Sequence, residues 1–412
     1  MKVLLVSEPG VDGVFRYVEA LAHYLVAQGV RVHLAYSNRR GSDRLGRLIE
    51  FVGDNGGATL NLATGNRPAL SDLRALAALY LFVRRVKPDI IHSHSSKAGG
   101  LARLLGAMGI RAQQVYHPHA YSGMQPRSGL ARLVYDGIER CLGPRGLTIN
   151  CSEDEQTFAR EQLRLSINRL NFIPNGIDTR HFSPPAAAQK YSLRQTLGLP
   201  PDALVLGAMA RTAPQKDPMT LYHAFAEALR RDPQLVLYHI GRGEMDEEIR
   251  TFVANAGVGH RIVRRDYLAT PVDFYRAVDG FVLTSIYEGM SLAVLEAMAC
   301  DLPLILSDAP GNREFARLPL SHLHTAPIRD SSAFADAIVR WAAERRAGER
   351  TSNHRALAVE RFDSRVCFAR VLELYRQAAK EKRRRRPRGR APRRANAEYQ
   401  ADEYARRPAP HR

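Results

Sequence analysis

Residues 285–301 read SIYEGMSLAVLEAMACD and predict a glycine loop followed by a short helix. Ser291 is a favourable N-cap, and the apolar residues after it provide a face to bury. The preceding segment, FVLTS (residues 281–285), has the composition of a buried strand. A strand, a glycine loop and a helix start in succession aim free backbone N–H groups at an anion. We therefore predict an anion-binding turn made by Gly289, Met290, Ser291 and Leu292.

Two glutamates flank this turn. Glu288 lies in the predicted loop, and Glu296 lies near the second turn of the helix. A loop carboxylate can accept hydrogen bonds from sugar hydroxyls, and the helical one can accept them from a ribose diol. The spacing alone leaves a second interpretation open, in which both are ordinary solvated acids.

Two cations follow another predicted strand, at residues 204–208. In ARTAPQKDP (residues 210–218), Pro214 prevents a continuous helix, which places Arg211 and Lys216 in a loop. A guanidinium fork and an ammonium point charge together suit a diphosphate. Without further information, two surface cations remain the alternative.

The chain starts with a predicted strand, helix and strand, which is the start of an open parallel sheet. The loop at residues 8–13 falls at the carboxyl end of the first strand, where such sheets bind ligands. It lacks the GxGxxG fingerprint, so a nicotinamide site is disfavoured, and an ordinary turn stays possible.

Four histidines lie in two short segments. His92 and His94 have no carboxylate or third histidine at ligand spacing, so we predict no metal site. His117 and His119 follow another predicted strand, and chemistry alone does not choose between them as a site residue.

The helix predicted at residues 128–141 is amphipathic and flanked by arginines. Such a helix can lie on an anionic membrane surface or turn its apolar side into the domain. We favour the second arrangement.

Composition restricts the class of protein. The 412 residues are 45% hydrophobic, enough for two domains, and the four cysteines show no spacing typical of zinc or disulfides. The first apolar run is too short for a signal peptide, and no segment predicts a transmembrane span. About half of the net charge of +18 follows Ala379, in a segment that predicts a disordered basic tail able to touch lipid, RNA or only water.

Several of these segments resemble one enzyme family. Residues 285–301 are similar to the donor-site signature of retaining GT-B glycosyltransferases of family 4 (group 1), with Asp301 where the family usually has glycine. Asp tolerates the left-handed cap conformation well, so we read it as a tolerated replacement. Residues 92–106 resemble the members that build bacterial surface polysaccharides, and residues 173–182 resemble the interdomain junction.

The resemblance implies an α/β fold of the GT-B type, with two Rossmann-like domains facing a central cleft. The implied divisions are an acceptor-binding domain (1–178), a linker (179–200), a nucleotide-sugar-binding domain (201–352), a crossover helix (353–380) and the basic tail (381–412).

It also implies roles for residues. The catalytic pair would be His119 and Glu288, with His119 chosen over His117 by motif register alone. Donor-binding residues would be Gly13, Arg211, Lys216, Gly289, Met290, Ser291, Leu292 and Glu296. Neither a metal nor a cofactor is implied, and the donor would be a UDP- or GDP-linked sugar transferred with retention.

The implied acceptor is a glycan or a polyprenyl-linked glycan of a surface polysaccharide. We expect a cytoplasmic protein that can touch the inner face of the membrane, with no specific nucleic acid as partner. Three alternatives remain open: a sugar-nucleotide epimerase of the same fold, a nucleic-acid-binding protein acting through its tail, and a non-catalytic scaffold.

Overall fold

A computed structural model describes residues 1–10, 12–39, 41–65, 69–125, 129–348 and 352–384. The predicted basic tail lies outside the described residues from position 385 onward. Residues 381–384 belong to the last helix, so that helix continues beyond the predicted end of the crossover segment.

Seven parallel strands form the first sheet, in the order β3-β2-β1-β4-β5-β6-β7. Most residues of the longer strands are buried on both faces, as expected of a parallel sheet covered by helices. The strands are β1 (Lys2–Ser7), β2 (Arg31–Tyr36), β3 (Thr59–Asn61), β4 (Ile90–His94), β5 (Gln113–His117), β6 (Leu147–Asn150) and β7 (Leu170–Phe172).

Helices cover both faces of this sheet. The helices are α1 (Asp12–Ala27), α2 (Asp43–Asp54), α3 (Ser71–Val86), α4 (Ser96–Ala107), α5 (Gly129–Leu142) and α6 (Glu153–Thr157), the last continued by a π-helical turn. The core under α1 and α2 contains Val3 and Leu5, and the core under α3 and α4 contains Leu4 and Val6. Successive strand residues therefore face opposite helical layers.

The second sheet repeats this arrangement with six parallel strands, in the order β10-β9-β8-β11-β12-β13. Its strands are β8 (Leu204–Met209), β9 (Leu235–Ile240), β10 (Ile262–Arg265), β11 (Gly280–Leu283), β12 (Leu304–Ser307) and β13 (Leu323–Ala326). Its helices are α7 (Ala187–Leu197), α8 (Pro218–Arg231), α9 (Asp246–Ala256), α10 (Pro271–Ala277), α11 (Leu292–Ala299), α12 (Arg313–Ala316) and α13 (Ser331–Arg346).

The predicted crossover is made by two helices and not by one. They are α14 (His354–Arg361) and α15 (Ser364–Arg384). The backbone between them pairs with Ile177, which donates to the Phe362 carbonyl at 2.9 Å and accepts from the Ser364 amide at 2.8 Å. Because those groups are engaged elsewhere, a continuous helix cannot form. The α15 helix does cross back, since Phe368, Leu372 and other residues of it enter the core of the first sheet.

The glycine-rich stretch of residues 51–65 contains the end of α2 and the strand β3. The strand is only three residues long, and a segment that short carries no alternation for a sequence pattern to reveal. Asp301 has φ +60°, which is the left-handed conformation expected of it.

The expectation for α5 is wrong. Leu130, Leu133, Val134 and Ile138 face outward, while the buried positions of the helix include Asp136 and Glu139. Glu139 is held inside by Arg103 of α4 at 2.9 Å, and a pattern of hydrophobicity cannot anticipate such a buried pair. Among the described residues, no helix combines the length and hydrophobicity needed to span a bilayer.

Gly280 gives a test of this packing. An added Cβ there would lie 2.6 Å from the indole of Trp341, which is fully buried between α13 and the sheet. Gly280→Ala should lower the free energy of unfolding by about 1–3 kcal/mol through overpacking, measured by urea denaturation. The matched control is Gly46→Ala, at a position within α2 that has open space around it. This variant should leave the free energy of unfolding unchanged or raise it slightly. Equal stability of the two variants would contradict the packing described.

Candidate active site

Loops at the carboxyl ends of both sheets meet at the boundary between the two domains, a region that we call the cleft. The loops after β8 and β11 supply charged residues on the second domain's side. The Lys216 ammonium, in the loop after β8, pairs with the Glu288 carboxylate, in the loop after β11. The Ser285 hydroxyl also donates to Glu288 at 2.6 Å. The two predicted site residues therefore meet, with Glu288 only 6% exposed.

The helix after this loop begins where predicted. Ser291 occupies the N-cap position of α11 with extended backbone angles, but its side chain makes no capping hydrogen bond. The preceding Met290 carbonyl accepts a hydrogen bond at 2.9 Å from the amide of Asn175, in the segment that follows the first domain's last strand. Most of α11 is buried, not one face alone, because α14 and α10 pack against it as well as the sheet.

Glu296 is fully buried and bound on both sides. The Tyr275 hydroxyl donates to it at 2.7 Å, and the Arg16 guanidinium reaches it from α1 of the opposite domain. Burial opposes the charge on Arg16, but the Glu296 carboxylate outweighs that effect and raises the pKa of Arg16. Sequence reasoning missed Arg16, although a charged residue within the apolar pattern of α1 was a signal.

The first domain contributes a helix start to the cleft. Gly13 lies in the first turn of α1, not in the loop before it, and an added Cβ would lie 3.8 Å from the Leu292 side chain of α11. The neighbouring Asp12, with φ +68°, places its carboxylate 3.4 Å from the Nε of Arg211. Gly13, Leu292 and Arg211 are thus brought together at the domain boundary.

His119 lies in a strained turn that approaches the second domain. It has φ +53° and the following Ala120 has φ +91°, two consecutive left-handed conformations that are costly for residues other than glycine. An added Cβ on Gly289 would lie 2.9 Å from the Ala120 amide, so only glycine fits there. Burial lowers the pKa of His119 to about 3, which makes its imidazole neutral near pH 7.

His92, His94 and His117 form a fully buried cluster behind His119. Their ligand-type nitrogens lie within 4.8 Å of one another, so the argument that no third histidine is near is wrong. His117 comes from the neighbouring strand, and pairing between strands is invisible to spacing along the chain.

The His119 ring stacks on two rings of this cluster, those of His94 and His117. His117 and His119 lie 3.6 Å apart between ring centroids, nearly parallel, and the Nδ1 of His94 lies 3.1 Å from the Nε2 of His119. In a tetrahedral zinc site the ligand nitrogens would lie about 3.4 Å apart and would point at the ion from different directions. Burial lowers the pKa of His92, His94 and His117 well below the usual range, which favours neutral rings.

Glu155 supports the His119 turn and was also missed by sequence reasoning. Its carboxylate accepts from the Ala120 amide and, at 2.8 Å, from the Cys151 amide. Ser152 caps α6, the helix of Glu155, since its hydroxyl accepts from the Glu155 amide at 3.2 Å. The S-x-x-E pattern, typical of a capping box, was the available signal, although the carboxylate bonds the Cys151 amide and not that of Ser152. Burial raises the pKa of Glu155 to about 7.

Two family models match the chain, one on each domain. The family described as Glycosyltransferase Family 4 matches residues 11–181, and the one described as Glycosyl transferases group 1 matches residues 200–344.

Named relatives are similar over most of their length. The UDP-Gal:alpha-D-GlcNAc-diphosphoundecaprenol alpha-1,3-galactosyltransferase of Escherichia coli is 27% identical over 75% of this chain and 81% of its own. The putative glycosyltransferase EpsF of Bacillus subtilis is 29% identical over 71% and 78%.

Solved structures share the fold. Sucrose-phosphate synthase from Thermosynechococcus elongatus superposes with a TM-score of 0.78 at 22% identity, covering 92% of this chain and all of that one. HepE of Anabaena, solved with UDP and glucose, gives a TM-score of 0.77 with the same identity and coverage.

The raised pKa of Glu155 predicts a pH dependence of stability. A carboxyl whose folded pKa lies above its ordinary value contributes stability that is complete below the ordinary 4.5 and is lost as the pH rises through about 7. The loss is at most about 3 kcal/mol. The melting temperature of the wild type should therefore fall more between pH 5 and pH 8 than that of Glu155→Gln, measured by differential scanning calorimetry. Parallel pH profiles of the two proteins would refute this assignment.

The matched domains, the doubled Rossmann-like fold and the named relatives agree on the class of enzyme. They favour a transferase over the epimerase, the nucleic-acid-binding protein and the scaffold considered from the sequence. The chain belongs to the GT-B glycosyltransferases of family 4 (group 1).

Proposed function

We propose that this glycosyltransferase transfers a hexose from a UDP-linked donor to a polyprenyl-linked glycan acceptor, with retention of anomeric configuration, during surface polysaccharide synthesis. The observation that carries the proposal is that Arg211, Lys216, Glu288 and the His119 turn converge on one cleft from two domains. GDP was an equal candidate from the sequence. UDP is favoured by the donor named for the E. coli relative, whose named acceptor is a diphosphoundecaprenol.

Leaving-group stabilisation is the first task of the site. Arg211 is 46% exposed at its side chain, and the Lys216 side chain is 17% exposed, so both can reach a ligand in the cleft. With the backbone N–H groups of residues 289–292 at the start of α11, they would stabilise negative charge on the departing diphosphate. The chain's own cations thus serve where other enzymes use a metal, and no cofactor is part of the proposal.

Orientation of the sugar is the second task. Glu288 would accept hydrogen bonds from donor hydroxyls, and neutral His119 would donate or accept one near the anomeric carbon. Glu296 would bind the ribose diol, in competition with Arg16 for the same oxygens. Gly13 leaves room for the donor phosphates beside α11.

The reaction itself would proceed on one face of the sugar. As the bond from the anomeric carbon to the diphosphate oxygen breaks, positive charge develops on the ring and the acceptor hydroxyl attacks from the same side. The leaving diphosphate accepts the acceptor's proton. Closure of the two domains would keep water away from the reacting carbon.

Phosphate binding is tested by ligand-induced stabilisation. UDP in about hundredfold excess over its dissociation constant should stabilise the wild type by about 2.7 kcal/mol and raise the melting temperature. Arg211→Ala and Lys216→Ala should lose most of that increase, because each removes a charge from the diphosphate site. The matched control is Arg250→Ala, which removes an exposed arginine of the same domain that pairs only with Glu247 among the described residues. Unchanged protection in Arg211→Ala and Lys216→Ala would disprove the phosphate assignment.

Sugar orientation is tested by kinetics and product analysis. Glu288→Gln should lower kcat/KM by at least about a hundredfold while UDP alone still protects, since the residue is assigned to the sugar and not to the diphosphate. Proton NMR of the wild-type product should show the anomeric coupling of the donor. An inverted product would exclude retention, and a Glu288→Gln enzyme with normal kinetics would exclude the orienting role.

A further inference from the structure

Helix α5 turns its apolar side outward and its polar side inward, which is the reverse of the usual arrangement for a helix on a domain surface. Four large apolar side chains face outward: Leu130 (76% exposed), Leu133 (63%), Val134 (54%) and Ile138 (45%). They recur at spacings of three and four residues, so they form one continuous face of the helix.

The inward face of α5 is polar and fixed. Glu139 pairs with the buried Arg103 at 2.9 Å and accepts from the Tyr116 hydroxyl at 2.9 Å. Asp136 is 6% exposed and packs beside Gly123. Turning the apolar face inward would break a buried ion pair, which is strongly destabilising. The outward apolar face is therefore part of the folded state.

The two neighbouring helices extend this surface. The connections β3 to β4, β4 to β5 and β5 to β6 run in one direction across the sheet, so α3, α4 and α5 lie on the same side of it. Large exposed apolar side chains continue across them, namely Leu70, Leu73, Leu81, Leu104 and Met108. We call this surface, with the four residues of α5, the α3–α5 face.

Charge on the same segment has one sign at the surface. Within the described part of residues 69–145, no aspartate or glutamate is classed as exposed, whereas eight basic residues are. The exposed bases are Arg74, Arg84, Arg85, Lys87, Arg111, Arg132, Arg140 and Arg145. Of these, Arg132 pairs with Asp136 at 3.7 Å. Large apolar side chains surrounded by an excess of exposed cations are typical of proteins that bind anionic lipid surfaces.

We propose that the α3–α5 face docks on an anionic lipid bilayer, with the apolar residues of α5 inserted among the headgroups. A second copy of the chain fits this face less well, because a twofold interface would bring the same cationic patch against itself. A bilayer offers an apolar interior to the leucines and anionic headgroups to the arginines.

Docking there would bring the catalytic cleft near membrane-bound substrates. The His119 turn leads into α5 within ten residues, and Ser122 between them contacts Ser96 at the start of α4 at 3.0 Å. Membrane docking extends the proposed function and depends on it in one respect, because the lipid-linked acceptor is what would make docking useful. The binding test below needs neither donor nor acceptor, so the two can fail separately.

Vesicle sedimentation with the full-length chain tests the proposal. Vesicles of phosphatidylethanolamine with phosphatidylglycerol should bind the wild type, and Leu133→Glu/Ile138→Glu should weaken binding at least about tenfold by replacing inserted apolar groups with charges. The matched control is Val359→Glu/Val366→Glu, which makes the same charge change at exposed valines of α14 and α15. It should retain binding within about threefold. Thermal protection by UDP, measured on both variants, reports the donor site independently.

Equal loss in both double variants would show that net charge or the tail drives binding, and it would overturn the proposal. Retained binding in Leu133→Glu/Ile138→Glu would overturn it too. Insertion of α5 into the bilayer is measured in a separate experiment with the variant Leu133→Trp, because the chain's one tryptophan, Trp341, is fully buried. Brominated lipids should quench the new fluorescence. Absence of quenching, or a dimer in solution that the α5 substitutions dissociate, would likewise contradict membrane docking.

Discussion

The ion pair between partly exposed Arg16 and fully buried Glu296 joins the two domains at the helix on which the site is built. Glu296 is fully buried within the second domain, and Arg16 is the partner that compensates its charge from the first. Breaking such a pair leaves an uncompensated buried charge, at a cost of about 3–5 kcal/mol. The relative placement of the domains, and with it the shape of the cleft, therefore depends on this contact and on the close approach of Gly289 to the His119 turn.

The same charges explain how the cleft is prepared for a ligand. Each cation proposed to bind the diphosphate is paired with a carboxylate: Arg211 with Asp12 across the domains, and Lys216 with Glu288. A diphosphate carries more charge than either carboxylate, so its arrival would redistribute these pairs without leaving a cation buried alone. Glu288 would then be released toward the sugar. Binding of the donor and positioning of its sugar are coupled in this account through one ion pair.

The resemblance to the family implied the two sheets and the cleft, and local motifs at strand ends located most of the residues that meet there. They failed where a contact joins distant segments. Arg16 finds Glu296 across 280 positions, Glu155 reaches the Ala120 amide, and His117 joins His92 only through strand pairing. The orientation of α5 was predicted wrongly for the same reason, since Arg103 holds Glu139 inside and leaves the apolar face outward. Hydrophobic periodicity locates a face but does not identify what covers it.

The most direct test of the account is a crystal structure of the chain with bound UDP. We predict that the diphosphate lies in the cleft between Arg211, Lys216 and the start of α11, and that Lys216 has moved from Glu288 onto a phosphate oxygen. A UDP molecule bound outside the cleft, or bound within it while Lys216 remains on Glu288 and Arg211 on Asp12, would contradict the account.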